Sequence, residues 1–282
     1  MANTAIFFDL PTRGDLIIFD ELIHASAQEG IRLSKAEAVA VKHNEPSAVE
    51  DSILAWRKAG GKGRAWIAVE SLYSMDGDRA PVQALGELAL RHDAVLVIDE
   101  AHATGAWGPS GRGLAWALEG AANVISLHTC GKALGVMGGL VVGPRIFRDF
   151  LINRARSFIY ATAPSPLVAA AVRAAIRLSA GSDARRDMLQ RRIAFAGNLL
   201  KEGLKITPSG SQIQPIIIGS DTRAVAIAAA LRERGFDLRA VRPPTVPEGT
   251  ARLRMTLNLN TDEATTRALI EALADVQARL AA

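Results

Sequence analysis

Short apolar runs that alternate with helical patterns constrain the fold of this chain more than any other feature. Six runs in the first half have the length of strands, at residues 16–19, 38–41, 66–69, 95–98, 124–127 and 140–142. Amphipathic stretches at residues 46–59, 81–92 and 145–157 lie between or after them. Continuous apolar strands separated by helices predict a mostly parallel sheet covered on both faces, which is the α/β class.

The pattern changes after a long helical region at residues 166–204. A strand at 215–218 and a helix at 223–234 come next, followed by strands at 237–241 and 252–257. A closing helix begins at Thr261, with Asn260 as its expected N-cap and Glu263 three residues further on, as in a capping box. The sequence therefore predicts a large domain over residues 1–175 and a smaller α+β domain over residues 176–282.

Composition excludes several classes of protein. The 33 basic and 29 acidic residues give a net charge of +4, but the basic residues are scattered and aromatic residues make up only 5%. Nucleic-acid binding needs clustered basic residues, so we expect none. The single cysteine, Cys130, excludes an intramolecular disulfide and fits a reducing compartment. With no membrane-length apolar stretch and no secretory signal pattern, we expect a cytoplasmic protein with no membrane contact.

The string VLVIDEAHATG places an acid and a histidine just after a strand. Asp99 ends the strand and His102 follows three residues later. Ligands of open α/β sheets bind beyond the carboxyl ends of the strands, so both side chains are well placed. IDEAH also occurs in helicases, but neither Gly-Lys pair of this chain has the Ser or Thr and the upstream Gly of a phosphate-binding loop. The helicase hypothesis is excluded, whereas an aspartate that merely caps the next helix stays an alternative.

The string ISLHTCGKALGVMGG places Lys132 after the next strand, among four glycines. An apolar pocket favours the neutral, nucleophilic form of a lysine amine, and glycines allow close approach of a bulky ligand. A lysine on a surface loop is the alternative. A strand-end Asp and a lysine able to form a Schiff base together fit pyridoxal phosphate, whose pyridinium nitrogen takes an acidic partner. We expect no metal site.

Four strings in the same order resemble those of the α-oxoamine synthases, a family of fold-type I pyridoxal phosphate enzymes: SLYSMDGDRAP, VIDEAHATGAWGPSGRG, LHTCGKALGVMGG and RPPTVPEGTARLRMTL. The resemblance covers essentially the whole chain. It implies a decarboxylative condensation of an amino acid with an acyl-CoA or acyl carrier protein thioester, in a homodimer whose active sites form between the subunits. The RPPTVPEGTARLR string favours L-alanine and a pimeloyl thioester, with glycine- and serine-using members as alternatives.

The resemblance also implies roles for the residues around the cofactor ring. Lys132 would form the Schiff base and then remove the α-proton of the amino acid. Asp99 would pair with the pyridinium nitrogen, and His102, helped by Ser74, would lie beside the phenolic oxygen. His24, in DELIHAS, would stack on the ring. Without the resemblance, a surface histidine at a helix start would be the better interpretation of His24.

Further contacts are implied for the phosphate and the substrate. Thr129, and Thr162 of the partner subunit, would contact the phosphate, and Tyr160 would lie near the cofactor. Arg242 would clamp the substrate carboxylate with its planar guanidinium, and Thr245 would contact the substrate beside it. Cys130 has no implied role and is interpreted as a small packing residue.

Two departures from the family pattern keep a second class of protein open. By the resemblance, roughly a hundred residues precede the position of MANTAIFFDLPTRGD in the family, including a glycine-containing loop that contacts the phosphate. NLNTDEA also replaces a pattern of small residues and histidine after the last strand. A non-catalytic fragment that keeps the fold core is therefore the alternative to an active condensing enzyme.

Overall fold

Six strands form the central sheet of the first unit, in the order β2-β1-β3-β4-β5-β6. The computed structural model describes residues 1–280. The strands are β1 (Leu16–Asp20), β2 (Glu37–Val41), β3 (Ala65–Glu70), β4 (Val95–Asp99), β5 (Val124–Thr129) and β6 (Gly139–Val142). The first five are parallel and β6 pairs antiparallel to β5. All six predicted strands are confirmed, as is the α/β class.

Helices cover both faces of this sheet. They are α1 (Ala2–Asp9), α2 (Ala25–Leu33), α3 (Pro46–Lys58), α4 (Val82–Arg91), α5 (Arg145–Arg154), α6 (Arg156–Ile159) and α7 (Pro166–Ala180). Successive strand residues point to opposite faces, so Ile67 packs in the core beneath α3 and α4, whereas Trp66 and Ala68 pack in the core with α1, α2 and α5. Burial on both faces explains why the strands consist of continuous apolar runs.

Two predicted helices are interrupted. The helix expected at residues 145–157 ends at Arg154, because Ala155 adopts an extended backbone (φ −68°, ψ 109°), and the single turn α6 follows. The region 166–204 is divided between α7 and α8 (Asp183–Leu204). At the end of α7 the Ser182 hydroxyl donates to the carbonyl of Leu178 at 2.6 Å, which closes the last turn. Apolar periodicity alone did not show either break.

The second unit is a smaller α+β structure. It contains α8, β7 (Ile213–Gly219), α9 (Asp221–Glu233), β8 (Arg239–Val241), β9 (Ala251–Thr256) and α10 (Glu263–Arg279), with an antiparallel sheet in the order β7-β9-β8. The predicted N-cap of the last helix is wrong by two residues. Asp262, not Asn260, is the cap, because its carboxylate accepts a hydrogen bond from the Thr265 amide at 2.8 Å.

The chain divides into two compact units. The first comprises Met1–Tyr73 and Arg79–Asp183, and the second comprises Ser74–Asp78 and the chain from Ala184 onward. The domain division expected at residue 175 stays a prediction; it falls within α7, and the compact units divide after Asp183 instead. Among the helices of residues 1–280, none is long and apolar enough to cross a membrane.

Candidate active site

A cavity of about 340 Å³ lies at the carboxyl ends of the parallel strands of the first unit. The loops after β1, β3, β4 and β5 supply most of its wall, together with the first residues of α1. Five predicted site residues line it: His24, Asp99, His102, Thr129 and Lys132. These residues are far apart in the sequence, and the parallel sheet brings them together because the carboxyl ends of its strands share one edge.

Asp99, the last residue of β4, is buried in the cavity wall. Its Oδ1 accepts a hydrogen bond from the Ala101 amide at 2.9 Å, and its Oδ2 accepts one from Asn3 Nδ2 at 2.8 Å. The first bond closes a local turn directly after β4. The second comes from a residue 96 positions away in the sequence. Two donors stabilise the ionised carboxylate and fix its orientation.

Asn3 also connects Asp99 to His24. Its Nδ2 lies 3.0 Å from Ser26 Oγ, and Ser26 Oγ lies 2.8 Å from His24 Nδ1. The Ser26 amide donates to the same Nδ1 at 3.2 Å. Because an amide N–H can only donate, Nδ1 is the acceptor and the neutral imidazole carries its proton on Nε2. A chain of hydrogen bonds therefore runs along the cavity wall from Asp99 to His24.

His24 is at the same time the N-cap of α2. The helix-start interpretation and the site interpretation are thus compatible for this residue, since the capping bond uses Nδ1 and leaves Nε2 available. Sequence reasoning did not identify Asn3 or Ser26. No signal in the sequence connects MANT to the strand end at Asp99, because the contact depends on how α1 packs against the sheet.

Glu70 is a second carboxyl in the same wall. It is the last residue of β3, it pairs in register with Asp99, and it is only 2% exposed. Burial, followed by the negative charge of Asp99, raises the pKa of Glu70 to about 8. Its Oε1 has no hydrogen-bond partner among residues 1–280. Sequence reasoning missed this residue, although an acid at the end of the strand WIAVE could have indicated it.

Glu100, one residue after Asp99, has a different environment. Its carboxyl accepts hydrogen bonds from the Ser71 hydroxyl at 2.6 Å and from the amides of Leu114 and Ala115 at 3.1 and 2.5 Å. Gly113 (φ +102°) passes so close that a Cβ there would lie 2.5 Å from this carboxyl. Through these hydrogen bonds, the buried Glu100 holds the loop after β4 in place. It does not line the cavity.

Lys132 lies in the loop between β5 and β6 and lines the cavity, but it is exposed. The expectation of an apolar pocket around it is therefore wrong. Its carbonyl accepts a hydrogen bond from the Gly135 amide at 3.0 Å, which closes a turn that Gly135 completes with φ +64°. Beside it, Cys130 is fully buried, and burial raises the pKa of its thiol, in agreement with the interpretation as a packing residue.

The other predicted site residues lie elsewhere. Tyr160, 75% exposed, and Thr162 follow α6 and do not line the cavity. Ser74, Arg242 and Thr245 belong to the second unit, where the Thr245 amide donates to the Arg242 carbonyl at 3.0 Å. The roles of these five residues stay predictions.

Two arginines on β9 of the second unit differ in whether a carboxylate pairs with their positive charge. Arg252 is buried and forms an ion pair with Asp76. Arg254 is half-buried, and burial lowers the pKa of its guanidinium. Its Nε donates to the Ser74 carbonyl at 2.7 Å and its Nη1 donates to Thr256 Oγ1 at 3.1 Å, while the described residues give it no carboxylate partner. Arg254 therefore has the features of an anion-binding group. Sequence reasoning assigned the role of binding an anion to Arg242 and did not identify Arg254.

A family model described as aminotransferase class I and II matches residues 1–273. The chain belongs to this family. It is 41% identical over 278 residues to the 8-amino-7-oxononanoate synthase of Anaeromyxobacter dehalogenans (strain 2CP-C), covering 98% of this chain and 69% of the relative. It is 44% identical over 259 residues to the 8-amino-7-oxononanoate synthase of Chromobacterium violaceum, covering 91% and 66%. The chain thus spans about two thirds of the length of these relatives.

Solved structures give the same result for the fold. A serine palmitoyltransferase from S. paucimobilis is similar with a TM-score of 0.92 and 25% identity, covering 99% of this chain and 71% of that one. An 8-amino-7-oxononanoate synthase from Francisella tularensis is similar with a TM-score of 0.82 and 26% identity, covering 100% and 81%. The resemblance to the α-oxoamine synthases and the fold-type I architecture are confirmed.

Proposed function

We propose that this chain catalyses the pyridoxal phosphate-dependent condensation of L-alanine with pimeloyl-CoA or pimeloyl-acyl carrier protein. The products are 8-amino-7-oxononanoate, carbon dioxide and the free thiol carrier, in a step of biotin biosynthesis. The observation that carries the proposal is the cavity that unites Lys132, Asp99 and His24 in a chain 41–44% identical to enzymes of that name.

The residues around the cavity fit pyridoxal phosphate. Lys132 offers a primary amine and Asp99 offers a carboxylate that two donors hold in place. The buried Oε1 of Glu70 has no hydrogen-bond partner among the residues that the structure describes, so a polar group of this wall is left unsatisfied by them. The Thr129 hydroxyl and the glycines at 138 and 139 line the same cavity and leave space beside the strand end. The residues that would hold the cofactor are therefore Lys132, Asp99, His24, His102 and Thr129.

When bound, the cofactor supplies an electron-withdrawing ring that stabilises negative charge at the α-carbon of an amino acid. The Asp99 carboxylate holds a proton at the ring nitrogen, and its bonds from Asn3 and Ala101 keep it oriented without further rearrangement. The Lys132 amine removes the α-proton of L-alanine. His24 presents its Nε2–H, because Nδ1 is occupied by Ser26. The chain's own contribution is thus proton placement and charge stabilisation.

The carboxylate of the amino acid requires a cation, and the family resemblance implies Arg242 for this role. Arg242 is exposed, and a guanidinium can bind a carboxylate through two parallel hydrogen bonds.

A homodimer in the cytoplasm is part of the proposal. Phe158, Tyr160, Leu167 and Leu178 of the first unit are 60–80% exposed. These four residues lie in one stretch of the sequence, and exposed apolar surfaces are typical of protein interfaces. This supports the role of Tyr160, and of Thr162 of the partner subunit, at the neighbouring active site.

The test begins with the purified chain and pyridoxal phosphate. We expect the visible absorbance of a lysine-bound cofactor, its loss in Lys132→Ala, and its retention in the matched control Lys35→Ala on an exposed loop. With L-alanine and each pimeloyl thioester, mass spectrometry should detect 8-amino-7-oxononanoate and carbon dioxide.

Three outcomes would contradict the proposal in different ways. Failure to bind the cofactor would favour the non-catalytic alternative. Turnover of glycine or serine in preference to L-alanine would favour another α-oxoamine synthase activity. Retention of the visible absorbance in Lys132→Ala would overturn the role of Lys132.

A further inference from the structure

Glu70 and Asp99 are neighbouring carboxyls that differ in their hydrogen bonding. They end adjacent parallel strands, pair in register, and both line the cavity. Asp99 accepts hydrogen bonds on both oxygens. Glu70 is just as buried, but the described part of the chain offers its Oε1 no hydrogen-bond partner. When two adjacent carboxyls differ in this way, the group with more donors keeps the charge and the other keeps the proton.

The groups that face Glu70 agree with this division. Asp99 on β4 and Asp20 on β1 raise its pKa by their negative charge, while the positive charge of Lys132 lowers it. The backbone amide of His24 also lowers the pKa of Glu70. Burial outweighs these favourable contacts, and the pKa of Glu70 rises to about 8.

We propose that Glu70 keeps its proton and donates it in a hydrogen bond to the ligand of this cavity. Glu70 is then a direct ligand contact in addition to the predicted residues. The inference rests on the proposed function for the identity of the ligand, pyridoxal phosphate, but the location of the proton does not depend on it. A neutral donor at this position adds a hydrogen bond without placing a second negative charge beside Asp99.

The first test measures the proton itself. In the ligand-free protein at pH 7, the infrared difference between the native chain and Glu70→Gln should show the carbonyl stretch of one protonated carboxylic acid. The band should disappear as the pH rises through about 8. Glu37→Gln, at an exposed position of β2, is the matched control and should give no such band. Absence of the band from the Glu70 difference would overturn the proposal.

The second test measures the contact with pyridoxal phosphate. The affinity of Glu70→Gln should stay within about threefold of the native chain, because the amide still donates. Glu70→Leu should bind about tenfold more weakly, because the donor is lost. Equal affinities of the two variants would contradict a ligand contact. Circular dichroism verifies that each variant is folded.

The pH profile keeps the proposal testable if Glu70→Leu does not fold. The affinity of the native chain should fall above pH 8 relative to Glu70→Gln, whose amide does not titrate. Coincident profiles would overturn the ligand contact. If the native chain does not bind pyridoxal phosphate at all, the proposed function fails and the ligand contact fails with it. The infrared band still decides, independently, whether Glu70 holds the proton.

Discussion

Two pairs of residues at the ends of β3 and β4 serve opposite purposes. Glu70 and Asp99 face the cavity, whereas the next residue on each strand, Ser71 and Glu100, faces the interior. Ser71 donates to Glu100 at 2.6 Å, and two further amides bind the same carboxyl. The cavity pair contains an unpartnered oxygen, but the interior pair is fully hydrogen-bonded. Alternation along a strand thus separates a binding function from a stabilising function within two residues.

The difference between the cavity pair and the interior pair shows where polar groups remain available for a ligand. A buried carboxyl with complete hydrogen bonding holds the protein together, and its removal leaves donors unpaired. A buried carboxyl with an unpartnered oxygen costs stability unless a ligand completes it. Substitutions in the cavity pair should therefore affect cofactor binding or the reaction rate, whereas substitutions in the interior pair should affect the free energy of unfolding.

The largest effect is expected for Asp99→Asn. This substitution keeps the shape and one acceptor oxygen, so only one of the two bonds, from Asn3 or from the Ala101 amide, can remain. It also removes the charge that holds a proton at the cofactor ring. We expect the condensation rate to fall by about 10²–10³-fold, with a melting temperature close to that of the native chain. Asp93→Asn, at an exposed turn, is the matched control. A parallel loss of stability in Asp99→Asn would show that the cavity pair is structural as well.

Glu100→Ala should act on stability. It leaves the Ser71 hydroxyl and the amides of Leu114 and Ala115 without their acceptor. We expect the free energy of unfolding in urea to fall by about 3 kcal/mol, with little change in cofactor affinity of the folded protein. Glu87→Ala on the exposed side of α4 is the control. A loss below about 1 kcal/mol would remove the distinction between the pairs.

The pH dependence of stability should identify Glu70. Its pKa is about 8 in the folded chain, above the ordinary value of 4.5, so the folded state holds this proton more tightly. The stability from Glu70 is complete below pH 4.5 and is lost as the pH rises to 8, with a slope of at most about 1.4 kcal/mol per pH unit.

Glu70→Gln should lack this component of the slope. Glu100 contributes in the same direction in both proteins, because burial raises its pKa as well. The difference between the two urea-unfolding profiles therefore isolates Glu70. Identical profiles of the native chain and Glu70→Gln would mean that Glu70 is ionised in both states.

The smallest effect is expected for Asn3→Ala. The substitution removes one donor from Asp99 and the link to Ser26, while the Ala101 amide still holds Asp99. We expect a loss of about 1 kcal/mol in the binding of pyridoxal phosphate, or roughly fivefold in affinity. Asn153→Ala, on the exposed side of α5, is the control for loss of an amide. An affinity unchanged by Asn3→Ala would show that the Ala101 amide alone orients Asp99.

The strand pattern and the strand-end residues could be predicted from the sequence because both depend on residue types that are close together along the chain. Apolar runs such as residues 95–98 form buried strands wherever helices cover both faces of a sheet. The edge at which those strands end then brings Asp99 and Lys132 to the same cavity. The break at Ala155 and the cap at Asp262 could not be predicted, because the helical pattern continues through the first and Asn260 is an equally good cap by residue type.

By itself, the sequence determined the α/β class, the six strands and the residues with the chemistry of a cofactor site, because each depends on residue type and spacing. Only the tertiary structure decided which donors orient Asp99, which nitrogen of His24 accepts the capping bond, and that burial raises the pKa of Glu70. Those properties depend on the contact between α1 and β4 and on the burial of two adjacent carboxyls. The energy of a charge depends on its surroundings, and the surroundings exist only once the chain has folded.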